Sequence, residues 1–181
     1  MDFMDSSAAP AGTGIDWRRQ IHPILRAADV TQVAYVPDAG HTALIEACHA
    51  DPLMRAIVLT NEAEGMGVLA GAWLGGQRGA LLMQSSGVGN CVNALSLTQI
   101  CRFPLFALVT MRGEWGEFNP WQVPMGQGTE AALRNAGVIV HRCDRPEEVA
   151  ETVDASLALA FDSEVAVAVL LSQRLIGRKR F

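Results

Sequence analysis

Cysteine is sparse and unpatterned in this chain. Cys48, Cys91, Cys101 and Cys143 form no C-x-x-C pair, so the sequence offers neither a disulfide framework nor the spacing of a metal or redox site. Free thiols acting as small buried hydrophobes in a reducing compartment are expected. The four histidines, His22, His41, His49 and His141, are scattered too, and no metal site is expected on this chain. No apolar run reaches the ~18 to 20 residues of a membrane-spanning helix, because Gly, Arg and Gln interrupt every apolar block. A basic stripe is also missing: 14 Lys and Arg against 19 Asp and Glu leave a net charge of -5, which argues against nucleic acid as the main partner. The first residues carry Asp2 and Asp5 with no basic segment and no long apolar one. Neither secretion nor mitochondrial import is signalled, and the cytoplasm is the expected location.

What the chain does have is apolar content, 50% of its 181 residues against 18% charged, enough for one compact domain. Residues 1–14, rich in Ser, Ala, Pro and Gly, are expected to form a flexible leader. A single α/β domain is expected over residues 15–173, followed by a basic tail over 174–181 with Arg174, Arg178, Lys179 and Arg180. That tail reads either as a solvated end or as a contact for an acidic partner. Short apolar runs at 32–36, 56–59, 80–84, 105–111, 138–141 and 166–171 read as strands. Amphipathic or small-residue patterns at 17–28, 41–50, 62–74, 88–101, 128–136 and 146–161 read as helices. This alternation predicts a doubly wound, parallel, six-stranded sheet with helices on both faces.

In such a sheet ligands sit beyond the carboxyl ends of the strands, and the segments there are unusual. Glu62 follows one strand directly and opens a helix containing Gly65, Gly67 and Gly71. A carboxylate at a helix start is common for dipole reasons alone. Three glycines, each costing about 1 kcal/mol in a helix interior, point to close approach by the sheet, another helix, a second subunit or a flat cofactor. Residues 84–90, Q-S-S-G-V-G-N, join a strand to a helix with hydroxyls and backbone N–H groups suited to an anion. They lack the third glycine of a dinucleotide fingerprint and contain no G-x-S-x-G elbow. Residues 112–125 form a long aperiodic loop with Trp115 and Trp121, read as a lid or ligand-proximal segment or else as a surface or interface loop. His41, at another strand end, reads as a helix-start hydrogen-bonding group or an active-site residue.

Four of these segments together resemble the pyrimidine domain of thiamine-diphosphate enzymes, most closely the α subunit of sulfopyruvate decarboxylase and its relative phosphonopyruvate decarboxylase. They are V-P-D at 36–38, N-E-x-E-G-x-G with A-G at 61–71, M-Q-S-S-G-x-G-N at 83–90, and R-G-x-x-G-E with Q-V-P-M-G at 112–126. The resemblance implies that Glu62, with Gly71 nine positions on, is the carboxyl that meets N1′ of the aminopyrimidine and activates the cofactor. It implies cofactor contacts at Gln84, Ser85, Ser86, Gly87 and Asn90, and substrate-proximal positions at Asp38, His41, Arg112 and Gln122. The substrate would be a small 2-oxoacid bearing a sulfonate or phosphonate. A G-D-G motif, which such enzymes use to hold the diphosphate through magnesium, does not occur in this sequence. The resemblance therefore implies a β subunit carrying G-D-G and the Mg2+ ligands, in a heterotetramer or larger assembly, and no activity without it. Trp115, Trp121 and the pair Ala39–Gly40 depart from the pattern of some single-chain relatives. The competing reading, resting on the glycine-rich turn at Gly87, is a non-catalytic nucleotide- or flavin-binding α/β module.

Overall fold

The computed structural model describes residue 14 and residues 16–178. The expected leader, apart from Gly14, and the last three residues of the expected basic tail lie outside the described residues. In chain order the elements are α1 (Trp17–Ala27), β1 (Val30–Tyr35), a 3-10 turn (Ala39–His41), α2 (Thr42–Ala50), β2 (Arg55–Val58), α3 (Glu62–Leu74) and β3 (Arg78–Gln84). There follow α4 (Ser85–Cys91), α5 (Ser96–Ile100), β4 (Leu105–Thr110), a second 3-10 turn (Pro120–Gln122), α6 (Val123–Asn135), β5 (Ile139–Cys143), α7 (Pro146–Asp162), β6 (Ala166–Leu171) and α8 (Gln173–Ile176).

The six strands form one sheet in the order β2-β1-β3-β4-β6-β5, and every neighbouring pair is parallel. Alternation along each strand sends side chains to opposite faces. Phe106 and Leu108 of β4 join Ile21, Leu25, Leu44 and Val153 under α1, α2 and α7. Leu105, Ala107 and Val109 pack with Met66, Leu69, Val88 and Leu133 under α3, α4 and α6. β4 and β6 are buried throughout, whereas the edge strands β2 and β5 are part exposed, as a doubly wound sheet requires. Full burial of a side chain such as Phe106 stabilises by roughly 1.5–3 kcal/mol. The chain runs outward from β1 to β2, then returns to place β3 on the other side of β1, so the order reverses between β1 and β3. Crevices for ligands form at such reversals.

The helix expected over 88–101 is two helices. Its first turn begins at Ser85, directly after the strand, so the serines and glycines of 85–89 are helical residues and not a connecting loop. A turn over 92–95 then breaks the helix and delivers Leu95 fully buried into the core. Gly87, Gly89, Asn90 and Asn93 are weak helix formers, and burial of Leu95 decides the break. The helix expected over 128–136 starts earlier, at Val123. Pro124 and two glycines disguise it, yet proline is tolerated in a first turn. The short helix α8 has no counterpart in the sequence reading; it buries Leu175 against the first core cluster. The cysteines are free: Cys48, Cys91 and Cys143 are buried, but Cys101 is exposed, contrary to its expected burial. No helix among the described residues is long and apolar enough to cross a membrane.

Candidate functional site

Three strand ends build the site. After β2, Asn61 caps α3: its extended backbone and side chain, which accepts from the Ala63 N–H at 2.9 Å, start the helix at once. Glu62 is thereby the first helical residue, its carboxyl at the positive end of the helix dipole and only 8% exposed. Asn90 of α4 donates from Nδ2 to Glu62 Oε2 at 2.8 Å. The other side of the carboxyl lies on Gly87, where a Cβ would come within 2.5 Å of Glu62 Cδ. Gly65, one turn on, brings α3 onto Leu81 of β3 and onto Leu59, whereas among the described residues nothing lies near the open sides of Gly67 and Gly71. Close sheet packing accounts for the first glycine and leaves the other two on an open helix face.

A second polar group lies at the reversal point. Asp38, after β1, accepts from the Gly40 N–H at 2.9 Å, from Gln84 Nε2 at 2.8 Å and from Thr110 Oγ1 at 2.8 Å. Gln84 closes β3, and its Oε1 accepts from Ser86 Oγ at 2.9 Å, so its amide is fixed at both ends. His41 is buried, and its ring Nε2 donates to the Met83 carbonyl at 3.2 Å. Burial lowers its pKa, only partly offset by the Asp38 charge, which keeps the imidazole neutral.

The structure thus brings Glu62, Gly87 and Asn90 together, and Asp38, Gln84, Ser86 and His41 together, with residues 84–87 as the common rim. Ser85 differs. Its hydroxyl is fully buried and accepts from the Arg112 backbone N–H at 3.1 Å. The Arg112 guanidinium is engaged in a two-pronged pair with Glu117 at 2.6 and 2.5 Å. That pair holds the Glu117 carboxyl well below its usual 4.5, at about 2. Gln122 sits at the foot of the loop with its backbone against Gly113, and its buried Oε1 has no partner among the described residues. It joins neither polar group. Among the described residues no cluster of three or more His, Cys, Asp or Glu is placed to hold a metal ion.

Sequence reasoning missed Thr110, Glu117 and Gln173. Thr110 carried a usable signal, a polar residue closing a wholly apolar strand end. Glu117 stood in the R-G-x-x-G-E pattern five positions after Arg112, a spacing open to an ion pair, whereas Gln173 carried no signal, since its partners lie in the distant loop after β4.

No protein-family model matches the chain. Among curated proteins, the sulfopyruvate decarboxylase subunit alpha of Methanothermobacter thermautotrophicus is 35% identical over 158 residues, covering 87% of this chain and 96% of that one. The chain belongs to the sulfopyruvate decarboxylase α-subunit family. The phosphonopyruvate decarboxylase of Streptomyces viridochromogenes is 45% identical over 89 residues, 49% of this chain and 22% of that longer one. Among solved structures, a 2-oxoglutarate:ferredoxin oxidoreductase from Magnetococcus marinus superposes on 91% of this chain with a TM-score of 0.73. At 12% identity and 31% coverage of that protein, the likeness is one of fold. It agrees with the expected doubly wound parallel sheet.

Proposed function

We propose that the chain is the pyrimidine-binding subunit of a heteromeric, thiamine-diphosphate-dependent 2-oxoacid decarboxylase, and that Glu62 is its cofactor-activating carboxyl. One observation carries this reading: Glu62 is buried at a helix start, held by the neutral amide of Asn90 and seated on bare Gly87. An aminopyrimidine ring needs a carboxyl kept from water that can share a proton with a ring nitrogen, and this arrangement suits it. Glu62 would hold that proton at N1′, Asn90 would keep the carboxyl from rotating away, and Gly87 would keep its seat flat. Gln84, fixed between Asp38 and Ser86, and the Ser86 hydroxyl would line the crevice on the substrate side, with neutral His41 beneath. When bound, thiamine diphosphate would supply the electron sink for the pair released with carbon dioxide.

The relatives' names support the remaining parts. The Methanothermobacter protein is a subunit alpha, which implies a partner, and on our reading that partner carries G-D-G, the diphosphate contacts and the magnesium ligands. Sulfopyruvate and phosphonopyruvate are the proposed substrate class. The nucleotide- or flavin-binding alternative is disfavoured by the same geometry. The open side of Gly87 is filled by the Glu62 side chain, which leaves no space there for a phosphate.

The test is reconstitution of the chain with the partner subunit, thiamine diphosphate and magnesium, followed by carbon dioxide release from each oxoacid. Glu62→Gln should lower kcat by about 10²- to 10⁴-fold and leave assembly intact. Undiminished turnover in an assembled Glu62→Gln complex would remove the assignment.

A further inference from the structure

The loop after β4 is held by a buried polar chain that the proposed chemistry does not use. The Glu117 carboxylate accepts from Arg112 Nε and Nη2 at 2.6 and 2.5 Å, from the Gly113 and Asn119 backbone N–H groups at 3.1 and 3.0 Å, and from Gln173 Nε2 at 2.9 Å. Gln173, at the start of α8, is itself 1% exposed. Its Oε1 accepts from the backbone N–H groups of Glu114 and Trp115, both at 3.0 Å, and its own N–H donates to Glu114 Oε1 at 2.8 Å. Arg142 on β5 completes the chain with a two-pronged contact to Glu114 at 2.9 and 2.8 Å. Removing a carboxylate and a guanidinium from water is costly unless every lone pair and N–H is met. A loop that merely covers surface needs no such arrangement.

The other end of the chain leads to the site. The Arg112 backbone N–H donates to Ser85 Oγ at 3.1 Å, and the Arg112 carbonyl is pressed against Gly126 of α6 so closely that no Cβ fits there. The Thr129 hydroxyl of α6 donates to the Met125 carbonyl at 2.6 Å and also lies 3.3 Å from the Ser85 carbonyl. Ser85 is the first residue of α4, the helix that carries Gly87 and Asn90, the two residues against the Glu62 carboxyl.

We infer that Glu117 and Gln173 are positioning residues, which fix Arg112, through it the start of α4, and so the seat of Glu62. The link to chemistry rests on the function proposed above; the mechanical coupling does not. The experiment is hydrogen exchange on the full chain, wild type against Glu117→Gln and the milder Gln173→Ala, together with kinetics of the reconstituted enzyme. Exchange is expected to quicken about tenfold over 112–122 and also over 85–91, while α1 and α7 on the opposite face keep their wild-type rates. In the enzyme, kcat should fall about tenfold to a hundredfold with KM little changed. Faster exchange confined to 112–122 would overturn the coupling, as would equal quickening in α1 and α7 in both variants. Faster exchange over 85–91 with wild-type kcat would overturn the link to Glu62. Retained turnover in Glu62→Gln would strike the proposed function alone, leaving the exchange pattern to decide the brace.

Discussion

Gly87 and Glu62 meet with no room for a side chain between them: a Cβ on Gly87 would lie 2.5 Å from Glu62 Cδ and 2.6 Å from its Cγ. Gly87 is helical, with no positive φ among its reasons for being glycine. Its function is to leave space.

Gly87→Ala is therefore expected to push the Glu62 side chain out of its seat, because a side chain with rotatable bonds yields before the buried backbone of α4 does. Overpacking of this kind costs about 1–3 kcal/mol. For a chain of this size the melting temperature should drop by roughly 2–4 °C per kcal/mol. Turnover of the reconstituted enzyme should fall well beyond what that loss explains. A thermal melt and a carbon dioxide assay on the same preparation check it, and wild-type turnover would show that the seat is not needed.

Thr110 donates to Asp38 Oδ2 at 2.8 Å from the end of β4, and Asp38 in turn holds Gln84. Thr110→Val removes that donor at nearly constant volume, leaving a carboxylate short of a partner at a cost of about 1–3 kcal/mol. We expect KM for the oxoacid to rise several-fold with kcat less affected, and Thr110→Ser to restore both. Steady-state kinetics of the three proteins decide the matter; if Val behaves as Thr, Asp38 and Gln84 do not set substrate affinity.

Acid stability gives a prediction that needs no substrate. The Arg112 pair lowers the Glu117 pKa from its ordinary 4.5 to about 2, so the folded protein binds the proton less readily than the unfolded chain. Its stabilising contribution is then present in full above about pH 5 and is lost as pH falls from 4.5 toward 2. Glu117→Gln should be less stable than wild type at pH 7, with the gap closing through that window. Urea midpoints measured for both proteins across pH 3 to 7 test this. A gap that does not change with pH would mean that the Glu117 charge contributes nothing.

Much of the fold was legible because doubly wound sheets leave a plain signature. β4 and β6 are buried on both faces and read as continuous apolar runs. Glu62 stood out because it follows a short apolar run, in the structure the part-exposed edge strand β2, and opens a helix with little polar character. Helix limits were less legible wherever tertiary contacts outweighed propensity. Val123, Pro124 and Gly126 lie in a helix because Gly126 must pass close to Arg112, and residues 92–95 leave one because Leu95 is drawn into the core. Arg112 was legible as a charged residue at a strand end but not as one already paired, since Glu117 alone reads as another polar loop residue. Gln173, which closes that network, is 56 positions from Glu117 in the chain.

The sequence by itself determined the α/β class, the strands, the family pattern and the carboxyl at position 62. Only the tertiary structure decided that Asn90 and Gly87 form the seat of that carboxyl, and that the Arg112 guanidinium is held by Glu117. The reason is physical: periodicity reports which face of its own element a residue occupies, whereas the neighbour it meets is set by how separate elements pack across the sheet.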